Sequence, residues 1–214
     1  MKTNLAAWVS TLCLVTGIAE ASESGTYLDF SIGKSDIKNL SKASLDSDVT
    51  TFGTLNSSSL KDKDAYGAVA IGYRFTQYLA AEVGWTYLGA QTYTANFSSG
   101  ANQYEYKSRL VLEGVTAAAV GILPIGKRFE LRGRGGLFFS NAVLNRDITG
   151  PLQAINESFN ETSTELFVSV GAAYKFTPKF SIFLSAHHFN KVGADDIIAE
   201  SNVDGASLGV TFRQ

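Results

Sequence analysis

The sequence predicts an all-β fold, an eight-stranded antiparallel up-and-down transmembrane β-barrel, and three observations carry it. From residue 25 onward, eight segments of about nine to eleven residues alternate apolar with small or polar side chains. That period marks strands with two unlike faces, and the length suits a tilted crossing of a bilayer. The connections between segments run roughly 30, 3, 17, 6, 25, 3 and 16 residues. Long loops at one end and tight turns at the other suit a barrel closed in a membrane. Beyond the first 21 residues no run of 18 apolar residues occurs, which excludes crossing by helices.

The first 21 residues read as a cleaved secretory signal. Lys2 gives a short positive start, Leu5 to Gly17 is a largely apolar run, and Ala19-Glu20-Ala21 fits a small-x-small cleavage site. The barrel is then expected over residues 22–214. The single cysteine, Cys13, lies inside the signal, preceded by Leu12 where a lipoprotein signal would carry a small residue. The remainder has no cysteine and hence no disulfide framework, thiolate chemistry or zinc cluster. It holds 17 basic and 19 acidic residues with no basic stripe, which argues against nucleic-acid binding. No cofactor is expected.

Each strand presents two faces. The first, about 26–34, sets Leu28, Phe30 and Ile32 against Tyr27, Asp29, Ser31 and Gly33. The second, about 65–75, sets Val69, Ile71, Tyr73 and Phe75 against Ala68, Ala70, Gly72 and Arg74. A turn at 76–78 leads to the third, with Leu79, Ala81, Val83, Trp85 and Tyr87 against Ala80, Glu82, Gly84 and Thr86. The fourth, about 108–122, is the least regular, since Val111, Val115 and Ala117 share a face with Glu113. After the proline- and glycine-punctuated turn 123–128, the fifth sets Phe129, Leu131 and Leu137 against Glu130, Arg132 and Arg134. The sixth sets Leu166, Val168, Val170, Tyr174 and Phe176 against Ser169, Gly171, Ala173 and Lys175. The seventh sets Phe180, Ile182 and Leu184 against Ser181, Phe183, Ser185 and His187. The last sets Leu208, Val210 and Phe212 against Ser207, Gly209, Thr211 and Arg213.

Periodicity alone does not say which face is inside. A soluble barrel of lipocalin type would turn its apolar face inward. Here the second face is too small and too sparsely charged for a hydrated surface, as in Ala68-Ala70-Gly72. It suits the crowded lumen of a narrow membrane barrel, with the apolar face toward lipid. Asp29, Arg74, Glu82, Glu113, Glu130, Arg132, Arg134 and Lys175 become candidate lumen charges. Tyr73, Phe75, Phe129, Tyr174, Phe176, Phe180 and Phe212 become one aromatic girdle, with Trp85 and Tyr87 near the opposite interface. Segments 35–64, 89–107, 140–164 and 190–204, rich in Ser, Asn, Asp and Thr, become four extracellular loops. An even strand count leaves both termini in the periplasm.

At this point the chain resembles the OmpA-like eight-stranded outer-membrane barrels. The residues that carry the resemblance are Gly72-Tyr73-Arg74-Phe75, Leu123-Pro124-Ile125-Gly126 and the closing Leu208-Gly209-Val210-Thr211-Phe212-Arg213. The resemblance implies a monomeric bacterial outer-membrane barrel, non-enzymatic, with a structural or adhesin-like role exercised through its loops. It implies outer-membrane lipids, including lipopolysaccharide, as surroundings. Barrel-assembly machinery and periplasmic chaperones would be partners during insertion, and a host or surface ligand would meet the loops. Two departures stand out: family chains end on an aromatic residue, whereas this one ends Phe212-Arg213-Gln214, and no peptidoglycan-binding domain is expected.

Other chemistry is weaker. The lumen charges admit a narrow ion or small-solute pore or, for eight strands, a plug of salt bridges. Lipid A deacylase barrels carry a serine two residues after the catalytic histidine. Phe189 and Asn190 follow the only histidines, His187 and His188, so the nucleophile is out of place. A substitute set of Ser185 and His187 with Glu200 or Asp204 remains a distant alternative. Asp195, Asp196, Glu200 and Asp204 lack the glycine-turned spacing of a calcium loop.

Overall fold

The structure, a computed structural model, describes residues 24–38, 41–151, 154–193 and 200–214. The expected signal at residues 1–21 and the acidic pair Asp195 and Asp196 lie outside the described residues. The elements are β1 (Gly25–Ile37), α1 (Lys42–Thr50), β2 (Thr54–Lys61), β3 (Lys63–Arg74), β4 (Leu79–Ser99) and β5 (Asn102–Ile125). They continue with β6 (Phe129–Thr149), β7 (Ala154–Lys175), β8 (Phe180–Val192) and β9 (Ser201–Arg213).

Eight strands close a ring in the order β1–β3–β4–β5–β6–β7–β8–β9 and back to β1, every pairing antiparallel. Apart from β2, neighbours in the ring are neighbours in the chain, which is the up-and-down topology. Closure leaves no free edge within the bilayer, where an unpaired backbone group has no water to bond. The two short-turn hairpins use the same device. Thr76 Oγ1 accepts from the amides of Tyr78 and Leu79 at 3.1 Å, and Thr177 Oγ1 accepts from those of Lys179 and Phe180 at 3.3 and 3.0 Å.

The ring then departs from the expected loops. Four strands run far past the bilayer, with lengths of 21, 24, 21 and 22 residues for β4 to β7. Most of segments 89–107 and 140–164 is therefore paired strand rather than loop, and the β4–β5 hairpin turns only at 100–101. Segment 35–64 is also built, holding α1 and a ninth strand. Strand β2 stands outside the ring and pairs with the outer half of β4, from Thr54 opposite Ser98 to Lys61 opposite Thr92. Together β2, β4, β5, β6 and β7 make a five-stranded sheet standing above the barrel on the long-loop side.

A bulge keeps that sheet in phase. The β4–β5 register slips between Tyr87 and Gly89, where Gly89 takes φ +105°, a conformation that glycine alone adopts cheaply. Below the slip the even residues of β4 face inward, as Glu82 and Thr86 do. Above it the odd ones do, so Tyr93, Ala95 and Phe97 are buried. They share an inner face with Tyr104, Tyr106 and Ile148, and Val49 and Leu45 of α1 pack over them.

Candidate functional site: a filled lumen beneath an outer sheet

The lumen is filled in two tiers of different chemistry. The lower tier, toward the short turns, is ionic and centres on Glu130, which is fully buried. Its carboxylate accepts from Arg74 at 2.8 Å, and Arg132, Lys175 and Arg213 lie 3.3, 3.0 and 3.0 Å away. Arg132 reaches Asp29 at 3.5 Å and Thr211 Oγ1 at 3.1 Å. Arg134 bridges Asp29 at 2.7 Å and Glu82 at 2.8 Å, and Tyr27 Oη donates to Glu82 at 2.7 Å. Phe183 lies under both guanidinium groups, 5.8 Å from Arg132 and 5.4 Å from Arg134. Seven of the candidate lumen charges therefore meet in one network. Tyr27 and Phe183 belong to it as well, although only charge marks candidates in the sequence, and so does Arg213, a charge on the inner face of the last strand that is not among the candidates.

Glu113 does not join them, and its expected lumen position is corrected. It sits opposite Tyr87 and Asn141 on the odd, outward face of β5, while Leu112 and Gly114 point inward. The sequence holds the reason: Glu113 shares its face with the outward Val115, and a strand cannot turn one residue of that face inside.

Close approach explains the family-like motifs. A Cβ on Gly72 would come within 2.3 Å of the Tyr27 ring, and one on Gly209 within 2.3 Å of the Phe183 ring. Each glycine cedes its volume to an aromatic ring inside a narrow lumen, next to the Arg74 or Thr211 that the network uses.

The upper tier is mainly apolar, with Gln91, Ser140 and Glu165 as buried polar members at its level. Ile37, Tyr66, Leu88, Leu110, Leu112, Phe138, Ala142, Leu144, Phe167, Phe189, Val192 and Val203 form one buried cluster, to which all eight ring strands contribute. Phe189 lies 5.1 Å from Phe138 edge to face and 5.2 Å from Phe167 in a stack. Between the tiers a cavity of only about 50 Å³ remains, lined by Asp29, Glu82 and His187 among others.

On the outside, aromatic rings run round the short-turn end. Phe129, Tyr174, Phe176, Phe180 and Phe212 follow one another with centroids 5.0, 4.9, 6.0 and 5.4 Å apart, and Tyr73 meets Phe75 at 5.2 Å. Trp85 and Tyr87 stack at 6.4 Å near the other end. Along β6, Phe129 to Phe139 spans ten residues, about 33 Å of strand and about 25 Å of membrane normal at the usual tilt. That equals the height of an apolar band.

The two histidines part company. His187 points into the lumen, 2.7 Å from Ser207 Oγ and stacked on Tyr66 at 4.7 Å. His188 points outward and bonds Asp204 at 2.6 Å. Asp204 also pairs with Lys38, and Glu200 with Lys191 at 3.0 Å. The substitute set of Ser185, His187 and an acid is therefore not assembled, because Asp204 serves the neighbouring histidine.

Above the membrane, α1 is fixed by polar bonds as well as packing. Ser41 caps it, its Oγ accepting from Ser44 N at 3.1 Å. Lys42 and Tyr93 each bond the Asp46 carboxylate at 2.7 Å. The Lys42 bond first, then those of Ser58 and Tyr93, hold the Asp46 carboxyl down at about 2. A folded value below the unfolded one stabilises docking above about pH 4, and that gain disappears as pH falls toward 2. Hydrogen exchange in α1 should accordingly rise over that window with the barrel intact, and Asp46→Asn should remove the pH dependence.

A closed ring of eight antiparallel strands, with lipid-facing leucines, valines and phenylalanines and a packed interior, defines a transmembrane barrel of a bacterial outer membrane. Residues 22–214 match the OmpA-like transmembrane domain, and the chain belongs to that family. It is 27% identical over 165 residues to Outer membrane protein A of Yersinia pseudotuberculosis, covering 76% of this chain and 44% of that one. The chain thus spans less than half of that relative. Among solved structures it resembles Neisserial surface protein A, with a TM-score of 0.52 and 14% identity over 89% of this chain and 98% of that one. It likewise resembles the attachment invasion locus protein Ail of Yersinia pestis, solved with the heparin analogue sucrose octasulfate. There the TM-score is 0.50 and the identity 15%, over 90% of this chain and 99% of the other. These likenesses bear on the fold.

Proposed function

We propose that this barrel is a non-enzymatic surface-interaction protein, adhesin-like, whose lumen is a plug and whose working part is the outer sheet. The observation that carries this reading is the apolar upper tier, built from all eight ring strands. An ion crossing it would exchange most of its hydration for apolar side chains, with few polar groups such as Gln91, Ser140 and Glu165 at that level, at a cost well above thermal energy. The ionic tier beneath is bonded largely within itself, although Asp29 Oδ1 and Arg132 Nε find no hydrogen-bond partner among the described residues. Both oppose the alternative of a narrow pore.

The outer sheet offers what a contact surface needs. Residues 154–166 of β7 pair with β6 alone among the described strands, because β8 joins only from Phe167. An unpaired edge of that kind accepts an extended segment of another protein as an added strand. Its inner side carries Glu157, Glu161 and Glu165. The segments 35–64, 89–107, 140–164 and 190–204 together hold seven basic and thirteen acidic residues, a net charge of −6. A sulfated polyanion like the one bound to Ail would be repelled, so the fitting partner is a basic protein surface. Lipopolysaccharide surrounds the barrel, and periplasmic chaperones and the barrel-assembly machinery serve its insertion.

Two measurements test the reading together. The folded protein in a planar bilayer should pass no steady current. Removing residues 146–157 shortens the β6–β7 hairpin in register, and should abolish adhesion of expressing cells to basic protein surfaces while the barrel keeps its heat-modifiable gel mobility. Reproducible conductance steps from the intact protein would overturn it.

A further inference from the structure

The outer sheet ends in two unlike edges. On one side β2 carries a bulge between Leu55 and Ser57 and a lysine, Lys61, at its end. Both are devices that discourage a further strand. On the other side, the edge of β7 over 154–166 holds no proline, lysine or arginine. It opens because β8 leaves the sheet. Pairing with β7 stops at Phe167 opposite Phe189, the β8–β9 register slips between Phe189 and Val192, and Lys191 takes φ +54°. Had β8 continued in register, Lys191 would stand opposite Glu165. Its ammonium instead pairs with Glu200 at 3.0 Å.

The inner face of that edge favours positive charge. Phe159, Glu161, Ser163 and Glu165 follow one another along it, on the same side as the buried Phe167, while α1 packs against β2 and β4 at the far end of the sheet. Glu165 is only 7% exposed. Ser140 Oγ donates to its Oε1 at 2.9 Å, and Ser163 Oγ donates to the same oxygen. Its Oε2, like Oε2 of Glu161, is buried and finds no hydrogen-bond partner among the described residues. Neither carboxylate enters an ion pair there. On the facing stretch of β6 the cation is Arg146, which stands opposite Glu157 and lies over the Phe159 ring at 5.4 Å. A buried carboxylate oxygen without a partner is costly, so the face rewards a strand that brings cations. The same inward charge turns away apolar or acidic strands.

We propose that the edge of β7 captures an extended segment of a partner protein that carries Lys or Arg opposite Glu161 and again, four residues away, opposite Glu165. The proposal rests on the reading of the outer sheet as the working part, and adds the register of the contact. Ladder hydrogen bonds to 154–166 supply affinity whatever the partner's sequence, and the two carboxylates select among sequences. The spacing is four because alternate residues of a strand share a face, so that positions 161 and 165 meet partner residues i and i+4.

The test uses the protein purified from membranes, held in nanodiscs, and two short threonine-rich fluorescent peptides of one composition. One has its two lysines four residues apart and the other three, which turns one lysine to the opposite face at unchanged net charge. The first should bind about fivefold more tightly, the worth of one cross-strand ion pair. Glu161→Gln should erase that difference, with heat-modifiable mobility showing the barrel folded. Methylating every second backbone amide of the first peptide should abolish binding for one alternate set and spare it for the other, since only alternate N–H groups face the neighbouring strand. Equal affinity of the two spacings would overturn the proposed register while leaving the sheet a contact surface for basic proteins. Binding that survives both methylations would overturn strand capture itself. Failure of the underlying reading shows differently: neither peptide then binds, and adhesion survives removal of residues 146–157.

Discussion

Replacing Glu130 by alanine should cost this barrel about 3–5 kcal/mol of stability, more than any other single change in the ionic tier. Four cations, Arg74, Arg132, Lys175 and Arg213, converge on its two oxygens, and the residue is completely shielded from water. Breaking a buried pair is costly because the partner loses its counter-charge, and here four cations lose one at once, although Arg132 keeps Asp29 and Arg74 keeps the carbonyls of Thr76 and Gln77. Among the described residues the lower tier holds five cations, including Arg134, against Asp29, Glu82 and Glu130. Loss of Glu130 therefore leaves an excess of positive charge in a narrow space. The measurement is the urea midpoint for loss of heat-modifiable mobility in lipid vesicles. Glu130→Gln should behave nearly as badly, since an amide keeps the shape but not the charge. A second change, Lys175→Met, should recover part of the loss by lowering the excess of positive charge. Equal midpoints for Glu130→Ala and the unaltered protein would mean that water reaches the tier, and the plug would have to be read as a wet channel.

Much of this network is legible in the sequence, and the misses have physical causes. Within the bilayer the inside is polar and the outside apolar, so alternation sorts Asp29, Glu82, Arg132 and Arg134 correctly from Leu131 and Val83. Tyr27 escapes notice because a phenol is no formal charge, although its hydrogen bond to Glu82 makes it as much a member. Glu113 is misplaced when charge is allowed to outrank parity. Above the bilayer the environments exchange: the outside is hydrated and the inside must pack. The same alternation continues through Tyr93-Thr94-Ala95-Asn96-Phe97 and Tyr104-Glu105-Tyr106, now with apolar residues inward. A reading tuned to apolar-outward strands sees there only a polar loop, and so misses the sheet, the helix upon it and the apolar tier. One glycine marks the join, since Gly89 takes up the register slip that carries β4 from one regime to the other.

Phe138 and Phe139 put that division to a direct test, because they are adjacent in sequence and face opposite ways. Phe138 is wholly buried in the apolar tier, edge to face with Phe189, whereas Phe139 is 45% exposed on the outer wall. Phe138→Ala removes a ring from a packed interior that neighbouring strands, held by the closed ring, cannot collapse to refill. The expected cost is about 3–5 kcal/mol, at the upper end for a buried phenylalanine because relaxation is restrained. Phe139→Ala exchanges contact with lipid for contact with lipid and should cost about 1 kcal/mol or less. The same urea midpoints measure both, and each variant can then be held in a planar bilayer. Phe138→Ala should still pass no steady current, since Phe167, Phe189, Leu110 and Leu112 continue to fill the cross-section. If instead it conducted, one ring would be the whole barrier, and the upper tier would be a gate rather than a plug. Equal costs for the two alanines would show that the lumen at this level is as fluid as the lipid outside, and the two-tier interior would fall with that result.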